Sequence, residues 1–184
     1  MLGWGQVETP APGPGGCSRP SEIASAIELG PVRPGREPVM QRFVVEDSFW
    51  DLFPEASVAC LVVRGMKTAD EVGPEDRASI EGLLEQANRD AARHLDSPTL
   101  AENAPVRVWR DAYRRFKTKR GARCSIENLL RRVLKDNPVG PITPSVDLYN
   151  VVSLRHAFPV GGEDVNAFVG DLRLGVTEGG DAFR

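Results

Sequence analysis

Apolar positions recur at helical spacing along much of the chain and cluster into short strand-like runs elsewhere. The strongest pattern covers residues 75 to 94, where Ile80, Leu83, Leu84, Ala87 and Ala91 share one face. Pro74, Glu75 and Asp76 mark its start, and Arg93 and His94 its end, the charge order that a helix dipole favours. This predicts a core-facing amphipathic helix. Further helices are expected at about 106 to 116, at 125 to 135 with Ser125 as N-cap, and at 144 to 156 with Thr143 as cap and Pro144 at the first helical position. FVVE at 43 to 46 and the β-branched run SVACLVVRG at 57 to 65 read as strands, joined by a short helix around SFWDLF. DLRLGV followed by the turn EGGD suggests a hairpin near the end of the sequence. The pattern predicts an α+β domain.

One helix breaks the usual division into a greasy and a wet face. In PSVDLYNVVSLRH, residues 144 to 156, Asp147, Asn150 and Ser153 fall on one arc at ~100° per residue, while Leu148, Val151, Val152 and Tyr149 cover most of the rest. A helix apolar on most sides is expected to be buried. Buried polar side chains need partners or cost ~1–3 kcal/mol each, so the stripe either braces neighbouring backbone or faces a pocket.

Composition narrows the class without naming an activity. With 184 residues, 41% hydrophobic and 27% charged, the chain suits one globular domain with appendages. The first 39 residues hold 7 of the 15 prolines and 7 of the 18 glycines, so a disordered tail is expected there and a folded domain over 40 to 184. No run approaches the ~18 apolar residues of a spanning helix, and no leader pattern is visible, which predicts a cytoplasmic protein without a membrane partner. Cys17, Cys60 and Cys124 are odd in number and far apart, and His94 and His156 are the only histidines, so neither a metal site nor a cofactor is expected.

Charge changes the picture. Between Arg107 and Lys135 there are eleven Lys and Arg and two acids, Asp111 and Glu127, which is +9 locally and leaves −12 elsewhere to reach the net −3. Such segregation is the footprint of a polyanion-binding face. Trp109, Tyr113 and Phe116 interleave with Arg114, Arg115, Lys117, Lys119 and Arg120, so the aromatics offer stacking on bases and the cations contacts to phosphates. The same aromatic spacing, i, i+4, i+7, also fits a helix face packed on a core.

The run from Ala112 to Gly180 resembles the B3/B4 domain of the phenylalanyl-tRNA synthetase β-subunit, and more closely the free-standing B3/4-domain proteins. The resemblance rests on Ser125, Leu129, Leu130, Pro141, Val146, Asp147, Asn150, Leu154, Pro159, Gly161, Asp164, Gly170 and Asp171. It implies an α+β fold with a mixed sheet and flanking helices, and an editing role in which the 3′ end of a mischarged tRNA enters a pocket and its aminoacyl ester is hydrolysed. Asn150 matches the asparagine of that pocket, and Asp147 and Pro159 match positions shaping its wall. Tyr149 stands where the bacterial synthetase has threonine and Gly161 where it has histidine. The family domain continues past the position of Arg184, so the resemblance implies missing C-terminal strands.

Three readings follow: a tRNA- or aminoacyl-tRNA-binding domain acting as a trans-editing deacylase, a non-catalytic RNA-binding module, or a truncated inactive remnant. Ester hydrolysis needs a positioned water and oxyanion donors rather than a strong nucleophile. Asn150, Tyr149, Ser153, Gly161 and Gly162 are the candidate substrate residues, and the cations from Arg114 to Arg120 the candidate RNA residues.

Overall fold

The computed structural model describes residues 26–32, 39–167 and 169–178. Strands β1 (Ala26–Val32), β2 (Val39–Val45) and β3 (Leu172–Leu174) form a mixed sheet in the order β1-β2-β3, the first pair antiparallel and the second parallel. The helices are α1 (Asp47–Leu52), α2 (Pro74–Ala91), α3 (Ala104–Tyr113), α4 (Ser125–Leu134) and α5 (Pro144–His156). The architecture is α+β, as the patterning implied.

Each long helix follows from its apolar spacing, with one systematic shift. On α2 the buried stripe is Leu84, Ala87, Asn88 and Ala91. Leu83, expected inside, is exposed, and the polar Asn88 takes its place. On α5 the buried stripe has the same i, i+3, i+4, i+7 spacing in Asp147, Asn150, Val151 and Leu154, with Ser153 beside it. Leu148 and Val152 are 43% and 41% exposed, so the helix is covered on its polar arc rather than on all its apolar sides. Around the α2–α5 pair, Val106 of α3, Ile126 and Leu130 of α4, Cys124 and Val139 complete the core.

Several expectations need correction. The run at 57 to 65 is not a strand: it pairs with no described strand, and Leu61 is 87% exposed. β-branched composition favours a pleated surface only where a neighbouring strand supplies backbone partners. Ordered structure also starts before Met40, because Ala26–Val32 is β1, whereas residues 1–25 and 33–38 of the expected tail lie outside the described residues. β3 pairs in parallel with β2, Phe43 opposite Leu172, and the second strand of the expected hairpin lies outside the described residues. Most of the EGGD turn lies outside the described residues. Finally, Cys124 rather than Ser125 occupies the N-cap of α4, and no side chain caps that end.

Polar clamps hold the irregular segments. A bulge between Glu28 and Gly30 displaces Leu29 from the ladder, and its carbonyl accepts from Arg64 Nη2 at 2.6 Å. Asp171 ties β3 to β2, accepting Arg42 N at 3.1 Å and Arg42 Nη2 at 2.7 Å. Buried Asn103 accepts Ser97 N at 2.9 Å and donates to Ser97 O at 3.0 Å, organising the entry to α3. No helix among the described residues is long and apolar enough to cross a membrane.

Candidate functional site

Two regions carry the residues singled out by sequence: the N-terminal half of α5 with the loop that follows it, and the connection between α3 and α4.

On α5, the stripe divides by role. Asp147 is buried and its Oδ1 accepts the backbone N–H of Ile142 at 2.8 Å, bracing the chain that enters the helix. Ser153 lies on the core side, almost wholly enclosed. Asn150 is 7% exposed, makes no side-chain hydrogen bond to a described residue, and is not among the sealed, unpaired atoms, so its amide keeps a path to the surface. A buried amide normally recruits a protein partner. The Asn150 amide thus has donors and an acceptor that no described residue engages.

The loop after α5 returns over the same helix. Ala157 ends the helix in the left-handed conformation, φ 54°, and turns the chain back. Gly162 then lies against the Tyr149 ring, where a Cβ would stand 3.6 Å from Cδ1. Gly161 faces open space and both glycines are exposed. Asp164 fixes the far side of the loop by accepting Asn166 N at 2.9 Å. Thus Gly162 packs beside Tyr149, with Asn150 next in the chain, while Ser153, one turn further along, is enclosed.

In the basic segment the aromatics follow the structural alternative. Trp109 and Tyr113 pack against the core, and Phe116 meets Tyr113 and Phe53 edge-on at 5.8 and 6.1 Å. Burial pushes the Tyr113 hydroxyl and the Cys124 thiol above their ordinary pKa values. Both therefore stay neutral near pH 7, and the thiol is a poor nucleophile.

The cations divide into bound and unbound groups around a carboxylate that sequence reading passed over. Glu127 on α4 is 1% exposed. Arg110 donates to it through Nε at 3.0 Å and Nη2 at 2.8 Å, Arg131 Nη2 lies at 2.8 Å and Arg123 Nε at 3.2 Å. The Arg110 hydrogen bond is the main reason the Glu127 carboxyl is held below the usual carboxylate range, opposed by its burial. The signal in the sequence was an acid four residues before Arg131 within an otherwise cationic run.

Arg114 pairs with Asp111, Arg115 Nη1 donates to Leu52 O at 3.1 Å and lies over the Phe53 ring, and Arg132 donates to Pro138 O. Arg107, Lys117, Lys119, Arg120 and Lys135 are exposed and make no ion pair among the described residues. Lys117, Lys119 and Arg120 sit together on the α3–α4 connection. Ala122 N bonds Lys119 O at 2.9 Å there, and Gly121 supplies the positive φ of 85° that the turn requires.

Comparison with known families adds one finding. The two regions above fall within residues 108–184, which match the family model of the B3/4 domain, whereas β1, β2, α1, α2 and the start of α3 precede that segment. That segment includes α4, α5, the cationic loop and β3, consistent with a B3/4 domain in this part of the chain. No curated protein and no solved structure matches the chain.

Proposed function

We propose that the protein binds tRNA or aminoacyl-tRNA, with Lys117, Lys119 and Arg120 contacting the phosphate backbone and the aminoacyl end lying beside Asn150, Tyr149 and Gly162. The observation that carries this reading is the division of the cations. Arginines held by Glu127 serve the fold, whereas the three on the loop are exposed, close in sequence and without an ion pair among the described residues, in a chain whose net charge is −3. An anionic protein that segregates such cations onto one loop is suited to a polyanion. The B3/4 match makes tRNA the polyanion of choice, because B3/4 domains belong to the tRNA-synthetase context.

Tyr149, Asn150 and the exposed Gly161–Gly162 pair support the finer reading, a trans-editing deacylase. The free amide of Asn150 supplies hydrogen bonds to an ester or amino group, and the backbone at Gly161 can approach a carbonyl closely because no Cβ intervenes. Ser153 is too enclosed to orient water and takes no part.

Fluorescence anisotropy with labelled tRNA over rising salt tests the binding reading. Replacing Lys117, Lys119 and Arg120 by glutamine is expected to lower the log–log salt slope by roughly 2, at ~0.7 per lost phosphate contact. An unchanged slope and affinity would sink it. A deacylation time course on tyrosyl- beside phenylalanyl-tRNA, with N150A as control, tests the editing reading; ester loss at the buffer rate from folded protein leaves a binding module.

A further inference from the structure

The α3–α4 connection, residues 114–124, is closed at its base by one carboxylate. Arg110 lies on the helix before the loop, Arg123 at the loop's end and Arg131 on the helix after it, and all three reach Glu127. Between these anchors the first part of the loop is held by Arg115, which donates to Leu52 O and lies over the Phe53 ring, and by Phe116 against Tyr113 and Phe53, and its end by the Lys119–Ala122 turn and buried Cys124. We infer that Glu127 is a positioning residue for polyanion binding: it gathers the two ends of the loop and presents Lys117, Lys119 and Arg120 in a fixed arrangement. This rests on the tRNA-binding reading above.

The physical argument is preorganisation. Long cationic side chains on an untethered loop lose backbone and side-chain freedom on binding, and that loss subtracts from affinity. A buried carboxylate is costly unless paired on several sides, and here the pairing uses guanidinium groups from both helices and the loop. A pair confined to one helix would fix nothing beyond it. Because the set joins three separate segments, the position of the loop is coupled to the helices' packing.

Charge counting and positioning predict opposite signs for one substitution. Glu127→Gln changes the island from +9 to +10, so charge alone predicts tighter tRNA binding. Positioning predicts binding weakened about five- to tenfold, as a loosened loop binds with a larger entropy loss. Circular dichroism melting identifies whether E127Q is folded. A second pair of variants decides if it is not. Arg123→Gln and Arg132→Gln each remove one exposed cation, but only Arg123 joins the loop to Glu127, whereas Arg132 donates to Pro138 O.

The experiment is tRNA anisotropy on full-length wild type, E127Q, R123Q and R132Q at one salt concentration. Weaker binding by E127Q, with R123Q weakened several-fold more than R132Q, is the expected result. Tighter or unchanged binding by folded E127Q, or equal losses in R123Q and R132Q, overturns the positioning role while leaving tRNA binding intact. Absence of binding by wild type itself at low salt overturns both.

Discussion

Asn88 on α2 grips the backbone of Val139 from both sides: Val139 N donates to Asn88 Oδ1 at 2.8 Å, and Asn88 Nδ2 donates to Val139 O at 3.0 Å. Nδ2 also reaches Leu84 O at 2.9 Å. One amide thus fixes the segment between α4 and α5 against α2. Asn88→Ala strands a buried backbone donor and acceptor, each costing ~1–3 kcal/mol when unpaired. Chemical denaturation should show a loss of about 2–4 kcal/mol, and a change below ~0.5 kcal/mol would mean that the clamp is replaced by water.

Acid should weaken the fold through Glu127 and Asp171. Arg110 holds the first carboxyl below its ordinary range and Arg42 the second, chiefly by side-chain hydrogen bonds. A depressed folded-state value means that the stabilisation is complete above the unfolded pKa of about 4 and is lost as pH falls through the lower folded value. The urea midpoint should therefore stay level from pH 7 to about 5 and drop below about 4. E127Q should begin from a lower midpoint and lose less of it in acid; an acid limb identical to wild type would remove Glu127 from the linked groups.

Ala157 ends α5 at φ 54°, ψ 40°, a left-handed conformation that costs a residue with a Cβ roughly 1–2 kcal/mol. Glycine adopts it freely. Ala157→Gly is expected to stabilise the protein by about 0.5–1 kcal/mol, after subtracting glycine's greater freedom in the unfolded chain and the buried methyl. A lowered thermal midpoint would show that the methyl's packing outweighs the backbone strain.

The regular parts of this fold were legible because apolar spacing alone determines them. Helices expected at 75–94, 106–116, 125–135 and 144–156 appear as α2 to α5, shifted by two or three residues where their ends tighten or fray. What spacing hid were polar residues doing core work. Asn88 completes the buried stripe of α2 and Glu127 that of α4, and a hydrophobic pattern passes over both because their partners, Val139 and three arginines, lie up to 51 positions away in the chain. The run 57–65 failed for the opposite reason, since a strand is defined by a neighbour that its own composition cannot reveal. Within the site, the sequence singled out Asn150 and Ser153 alike. Burial separates them.

That separation makes a sharp contrast between two asparagines. Asn150 lies on the buried stripe of α5 yet makes no side-chain hydrogen bond to a described residue, whereas Asn88 on the facing helix makes three. If Asn150 were retained for the fold, its removal would resemble that of Asn88. Losing an amide with no protein partner instead costs little more than a few atoms of packing, so Asn150→Ala should change stability by less than ~1 kcal/mol, while Asn88→Ala costs about 2–4. The same substitution should reduce ester hydrolysis or 3′-end binding about tenfold or more, the scale of a lost hydrogen bond to a substrate. Denaturation and aminoacyl-tRNA assays on the two variants side by side decide the matter: a stability loss at Asn150 equal to that at Asn88, with function intact, would return Asn150 to the scaffold.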